Sequence, residues 1–347
     1  MALKGASVTI LSRNGQEAAL QAAAGMLAPQ AEALLPGPML DLCLRSRALY
    51  PEWTQKLESL TGLDPEYWPC GIIAPQYAPD RMQDPYPAIP ISAGRRDWCD
   101  RPHLDTLQPG LSEAVVGGWW FPEDGQVNNQ KMAQVLRLAV QQLGVKLREG
   151  ITIQQINHNS DQVTGVETTD GLYQASHYVL ATGAWAGDWL QLPVVPRKGQ
   201  MLSLRWDKTQ QPLQHVLFGS EVYVVPRQNG RILIGATSES VGFMPHNTAV
   251  GVQHLLRAAI CLYPILQDWI LEQCWWGFRP TTPDELPILG PSPYSNLVIA
   301  TGHHRNGILL APVTARLLSI LIIQNQLDPL IQYFQLSRFE KSDMCDF

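Results

Sequence analysis

The stretch LVIATGHHRNGILLAPVTARLLSILII, Leu297 to Ile323, decides the fold class. Leu297–Ala300 reads as a buried strand, TGHHRNG as a turn, and the apolar run from Ile308 as a helix. Open α/β sheets bind ligands where a strand end meets a helix start. The free N–H groups and the positive dipole end of that helix favour an anionic group. Gly302 and Gly307 would let the backbone approach a flat ring closely, although a plain strand-to-helix connection would use the same glycines for its turn alone. The His303-His304 doublet has no third ligand at metal-site spacing, so no metal is expected.

The whole chain fits that reading. Its 347 residues suit two lobes, and 45% hydrophobic with 16% charged residues describes a folded globular protein. A net charge of −6 argues against nucleic acid or an anionic membrane as the main partner, so an anionic ligand must be gripped by locally placed arginines. The run Gly307 to Ile323, interrupted by Pro312 and Arg316, falls short of a spanning helix and reads as a core helix. No secretory pattern opens the chain. Cys43, Cys70, Cys99, Cys261, Cys274 and Cys345 form no CxxC pair and read as reduced thiols of a cytoplasmic protein.

Strands and helices alternate along the sequence. Gly5 reads as the stop of an initial helix and Ser7–Leu11 as a buried strand. Leu40 to Leu60 is helical in pattern, with Leu44, Leu49, Trp53, Leu57 and Leu60 on one face and a kink or break at Pro51. Tyr67 to Gln108 reads as a loop-rich excursion. Asn128–Leu143 is the next helix, followed by strands at Val145–Leu147, Ile151–Asn157, Val163–Thr168 and Tyr178–Thr182, the last ending on Gly183 before a short helix at Trp185–Leu190. From Val194 to Thr237 the pattern is strands only, with Asn229-Gly230 as a hairpin turn. A helix at Ala249–Leu262 and a strand at Cys274–Arg279 complete that antiparallel block.

Three side chains stand out. Arg279 follows Trp275, Trp276 and Phe278, so it is partly desolvated and needs an anion, a stacking role, or a pairing with Asp284 or Glu285. Arg279 and Arg305 together could grip one carboxylate through their planar forks. Tyr223, in EVYVVPR, could add a hydroxyl, or could be a core tyrosine. The small residues Ala22 to Leu27 permit close backbone approach to a cofactor, and tight packing would explain them equally well.

AAAGMLAP, YVLATGAWAG, PRKGQML, YVVPRQNGRILIGATSE, GFRPTTPDELPILGP and ATGHHRNGILLAP occur in the order seen in the D-amino-acid-oxidase-like flavoproteins. The chain resembles the glycine oxidase branch of that family over nearly its whole length. The resemblance implies an α/β fold: an FAD-binding Rossmann-like domain of the glutathione-reductase type, N-terminally truncated, with an α+β substrate domain on a mostly antiparallel sheet. The implied division gives residues 1–60, 125–193 and 286–347 to the FAD domain, the last with a C-terminal helix and tail. Residues 61–124 and 194–285 go to the substrate domain.

The resemblance also implies roles. Arg279 would be the main carboxylate-binding residue, Arg305 its second arginine, and Tyr223 the tyrosine closing on the carboxylate. Ala24, Gly25 and Met26 would lie against the flavin, Ile153 would contact the adenine, and Gly183 would join the cofactor-binding set. His303, His304, Arg305, Asn306, Gly307, Ile308 and Leu309 would form the turn and helix start beneath the ring. The implied reaction oxidises glycine, or sarcosine or a small D-amino acid, with FAD and O2. Product passes to solvent or to a thiazole synthase, and the family implies a homo-oligomer, a tetramer.

Three positions depart from the family pattern. No GxGxxG turn precedes Ser7, Ser12 stands where an acidic residue would meet the ribose, and Glu221 stands where some members have histidine. The missing turn predicts a first-domain sheet with a groove in place of its central strand, and leaves open a fold that keeps a carboxylate pocket without redox chemistry.

Overall fold

The computed structural model describes residues 1–77, 86, 94–206 and 213–339. Its largest element is an eight-stranded sheet, in the order Ile270–Thr281, Val195–Arg205, Arg231–Gly235, Tyr223–Pro226, Val216–Phe218, Ile72–Tyr77, Val115–Phe121 and Asp97–Asp100. All neighbours are antiparallel except Val216–Phe218 against Ile72–Tyr77. The helix Ala249–Leu262, capped at Thr248 whose hydroxyl accepts from Gly251 N, lies over this sheet and buries Leu255, Ala259 and Leu262 in its core.

Among the described residues four smaller sheets accompany it, and two of them are only half-built around the cavity. Thr9–Ser12 runs parallel to Lys146–Glu149, and Tyr178–Leu180 runs parallel to Leu297–Thr301, which pairs in turn with Ile288–Pro291. Thr9–Ser12 and Tyr178–Leu180 are each hydrogen-bonded on one side only, and both line the same cavity. The groove expected at the central-strand position is therefore open among the described residues. This corrects the expectation of a buried strand at Ser7–Leu11. The strand spans Thr9–Ser12, and Ile10 remains 37% exposed because no neighbouring strand covers it.

Two long helices pack behind these half-sheets. Pro38–Thr61 runs unbroken through Pro51; of the expected row Leu57 is buried and Leu49, Trp53 and Leu60 pack at the core's margin, while its innermost face also carries Leu42, Cys43, Ser46, Tyr50 and Thr54. The reason is hydrogen bonding: Ser46 Oγ donates to Leu309 O (2.5 Å) and Tyr50 Oη to Ile308 O (2.5 Å), so polar atoms face the second helix. That helix, Gly307–Gln324, is also unbroken at Pro312. By length and composition it could cross a membrane, contrary to the expectation that it falls short. Leu309, Leu310, Val313, Leu317 and Leu318 are nevertheless packed into the core shared with Pro38–Thr61.

Tyr67 to Gln108 is less loop-like than expected. It contains Tyr67–Trp68, Ile72–Tyr77, Asp97–Asp100 and a helix at Arg101–Leu107, while 78–85 and 87–93 lie outside the described residues. Cys43, Cys70, Cys99, Cys261 and Cys274 are free thiols, and Cys345 lies outside the described residues.

Candidate active site

One large cavity, about 1630 Å³, runs between the half-sheets and the eight-stranded sheet. It exceeds the roughly 300–1,000 Å³ of most small-molecule sites and takes in the groove between Thr9–Ser12 and Tyr178–Leu180. Ile153 and Gly183 line it near the half-sheets. Ala24, Gly25 and Met26 line the wall between the two sides, and Tyr223 and Arg279 line it from the large sheet. His303, His304, Arg305, Gly307 and Ile308 line it at the helix start.

Two expected residues are not brought there. Asn306 lies at the end of the turn outside the lining, with its N–H bonded to His303 O (2.9 Å). Leu309 points into the core shared with the first long helix, because at 3.6 residues per turn each helical residue is rotated about 100° from the one before it.

The wall at Gly25 is tightly drawn. Gly25 has φ +78°, its O accepts from Val127 N at 2.8 Å, and a Cβ there would lie 2.0 Å from Val127 O. Only glycine fits such an approach. Behind the wall sits Arg227, fully buried, donating to Ala24 O (2.7 Å), to Asn129 Oδ1 (3.2 Å) and to Gln126 Oε1. Burial lowers its pKa to about 10, so it remains cationic at neutral pH. Asn129 in turn donates to Leu20 O (2.9 Å) and Gln21 O (3.1 Å), and Trp275 Nε1 donates to Ala22 O (3.0 Å). Sequence reading missed Arg227; its only signal was a charge directly after the buried run VYVVP.

Arg279 sits on the long edge strand opposite Arg197. It is not paired with Asp284, which binds Arg338 instead at 2.7 Å. Its Nη1 donates to Thr237 O at 3.1 Å, and the guanidinium also reaches the Tyr223 hydroxyl. Gly199 makes the room: a Cβ there would come within 2.5 Å of Arg279 Nη1. Tyr223, on the neighbouring part of the sheet, donates to Met201 Sδ at 3.3 Å. Burial raises its hydroxyl pKa, while the charges of Arg279 and Arg305 pull it back.

The turn supplies a different environment. His303 Nε2 lies 3.1 Å from Thr314 Oγ1, and burial lowers the ring's pKa to about 4. His304, with φ +46°, places Nδ1 2.8 Å from Thr281 Oγ1. Burial, and then the charges of Arg279, Arg305 and Arg197, lower its pKa to about 4 as well. Both rings are neutral at pH 7, so the cations here are the arginines. The helix Gly307–Gln324 has no side-chain cap, and Gly307 and Ile308 present its start to the cavity. Its first N–H groups suit a ring that acquires negative charge on reduction, the feature by which this end of the cavity fits a flavin. Among the described residues, no three His, Cys, Asp or Glu side chains converge as a metal set.

The FAD dependent oxidoreductase (DAO) family pattern matches residues 1–321. The bifunctional protein ThiO/ThiG of Nostoc sp. is 54% identical over 345 residues, which cover 98% of this chain and 52% of that protein. The chain thus spans about half the length of the ThiO/ThiG relatives it matches. The glycine oxidase of Geobacillus kaustophilus is 35% identical over 317 residues, covering 88% of this chain and 83% of that one. A crystal structure of glycine oxidase from the same species superposes with a TM-score of 0.89 at 32% identity, over 97% of this chain and 93% of that chain.

Proposed function

Because the chain belongs to the FAD dependent oxidoreductase (DAO) family, we propose that it is a glycine oxidase converting glycine, O2 and water to glyoxylate, ammonia and hydrogen peroxide. The observation that carries the reading is the placement of Arg279, Tyr223 and Arg305 around one end of the cavity, at the uncapped start of Gly307–Gln324.

In this reading Arg279 grips the substrate carboxylate with the part of its fork not bonded to Thr237 O, and Arg305 adds a second, more exposed cation. Tyr223 gives up its weak bond to Met201 Sδ and donates to the carboxylate. With the carboxylate fixed, the α-carbon is held toward the wall of Ala24, Gly25 and Met26, and orientation supplies much of the rate. Bound FAD would supply the two-electron chemistry, as acceptor of the α-carbon hydride and donor to dioxygen. The chain provides Ala24–Met26 and the helix start for the flavin ring, Ile153 for the adenine and Gly183 between them. His303 and His304 act as neutral walls. Residues 1–60, 125–193 and 286–347 serve as the cofactor domain and 61–124 with 194–285 as the substrate domain.

Glyoxylate imine leaving the site either hydrolyses or is taken by a thiazole synthase, which the ThiO/ThiG relatives support by name. The test is purification with added FAD, followed by peroxide and glyoxylate measurement with glycine, sarcosine and D-alanine. Flavin uptake with glycine as the best substrate is expected. A protein that holds FAD yet makes no peroxide from any of the three overturns the reading.

A further inference from the structure

Glu32 lies in the cavity with its side chain only 8% exposed, although nothing in the sequence singled it out. Its segment is pinned: the buried Asp124 carboxylate accepts from Gln30 N (3.1 Å) and Ala31 N (2.9 Å) and pairs with Arg47 at 2.6 Å. Glu32 N donates to Ala28 O at 3.1 Å. Its Oε1 stands 3.5 Å from Arg305 Nη2, and its charge is also felt at Tyr223. The other acidic residues near this end, Glu221 and Glu285, are exposed, Glu285 by 62% of its side chain, so solvent screens them.

The charge balance at the clamp follows. Arg279 and Arg305 supply two positive charges and Glu32 removes one, leaving a net charge of one on the groups that face the substrate. An amino acid that loses hydride from its α-carbon needs a neutral nitrogen lone pair, so glycine reacts as a monoanion. A substrate with a second anionic group brings one charge too many and meets the Glu32 carboxylate in a site where screening is weak.

We propose that Glu32 is a specificity-determining residue: it sets the charge of the clamp so that the site takes amino acids with one anionic group and rejects those with two. This rests on the clamp reading above. Glu32 leaves Arg279 as the principal grip and tethers Arg305, whose side chain is 46% exposed, toward the cavity.

The test measures acetate and malonate binding to the FAD-loaded protein by titration calorimetry, in the wild type and in Glu32→Gln. The wild type is expected to prefer acetate, and Glu32→Gln to shift the malonate-to-acetate affinity ratio upward by roughly tenfold or more. Iminodiacetate turnover relative to glycine should rise in the same direction. An unchanged ratio, even with altered thermal stability, overturns the assignment and leaves the clamp intact. Failure of the wild type to bind acetate overturns the clamp and Glu32's role together. If Glu32→Gln does not fold, Glu32→Asp carries the test, since a retained carboxylate must keep the acetate preference and its loss there also overturns the proposal.

Discussion

The two sides of the cavity are built on opposite plans. The side carrying Tyr223 and Arg279 is one hydrogen-bonded sheet of eight strands, with the face away from the cavity packed on Ala249–Leu262. The other side includes two half-sheets, in which Thr9–Ser12 and Tyr178–Leu180 face a shared space without bonding across it. The closed side can hold its side chains in place before anything binds, as a carboxylate clamp requires. The open side has an uncapped helix start, whose first N–H groups are offered to whatever fills the cavity.

The largest expected effect lies at the seam between the two. Gly25→Val would drive a branched side chain into Val127 O at a φ of +78° that valine rarely adopts. We expect a loss of about 4 kcal/mol or more of stability and no retained flavin, checked by denaturant unfolding and by absorbance after gel filtration. A normally stable Gly25→Val protein would mean the seam is loose and the contrast between the two sides is overdrawn.

Next is the closed side. Arg279→Leu removes the principal cation of the clamp, and kcat/KM for glycine should fall by the equivalent of about 2–5 kcal/mol. FAD affinity should change little. An equal loss of FAD would show that the clamp and the cofactor wall are not separately built.

FAD itself probes the open side. At a hundredfold excess over its Kd, it should add about 2.7 kcal/mol to the unfolding free energy. Hydrogen exchange should slow most at Thr9–Ser12 and Tyr178–Leu180 and least at Tyr223–Pro226. Uniform slowing would erase the distinction.

Local patterns in the sequence were legible where one element decides its own fate. Ala249–Leu262 and Val163–Thr168 follow directly from hydrophobic period, cap and turn residues. Arg279, Arg305 and Tyr223 were legible through resemblance, and the structure brings all three to one cavity. What sequence reading missed depends on distant partners. Ile72–Tyr77, with Pro75 inside it, is a strand because Val115–Phe121 and Val216–Phe218 flank it. Ser46 and Tyr50 turn inward because carbonyls more than 250 positions away accept from them. Glu32 gains meaning only from Arg305, and Arg227 only from Ala24 O.

The smallest expected effect concerns the turn that joins the two plans. Burial holds His303 neutral in the folded protein, with its pKa lowered from 6.5 to about 4. The unfolded chain therefore binds more protons between those values, and stability from this residue is full above about pH 6.5 and lost as pH falls toward 4. By pH 5 the loss amounts to about 2 kcal/mol relative to pH 7. His303→Gln, which can still bond Thr314, should lower stability at pH 7 but flatten this part of the acid slope. If wild type and His303→Gln unfold with parallel pH profiles between 7 and 5, the ring is hydrated in the folded state and the turn belongs to the open side.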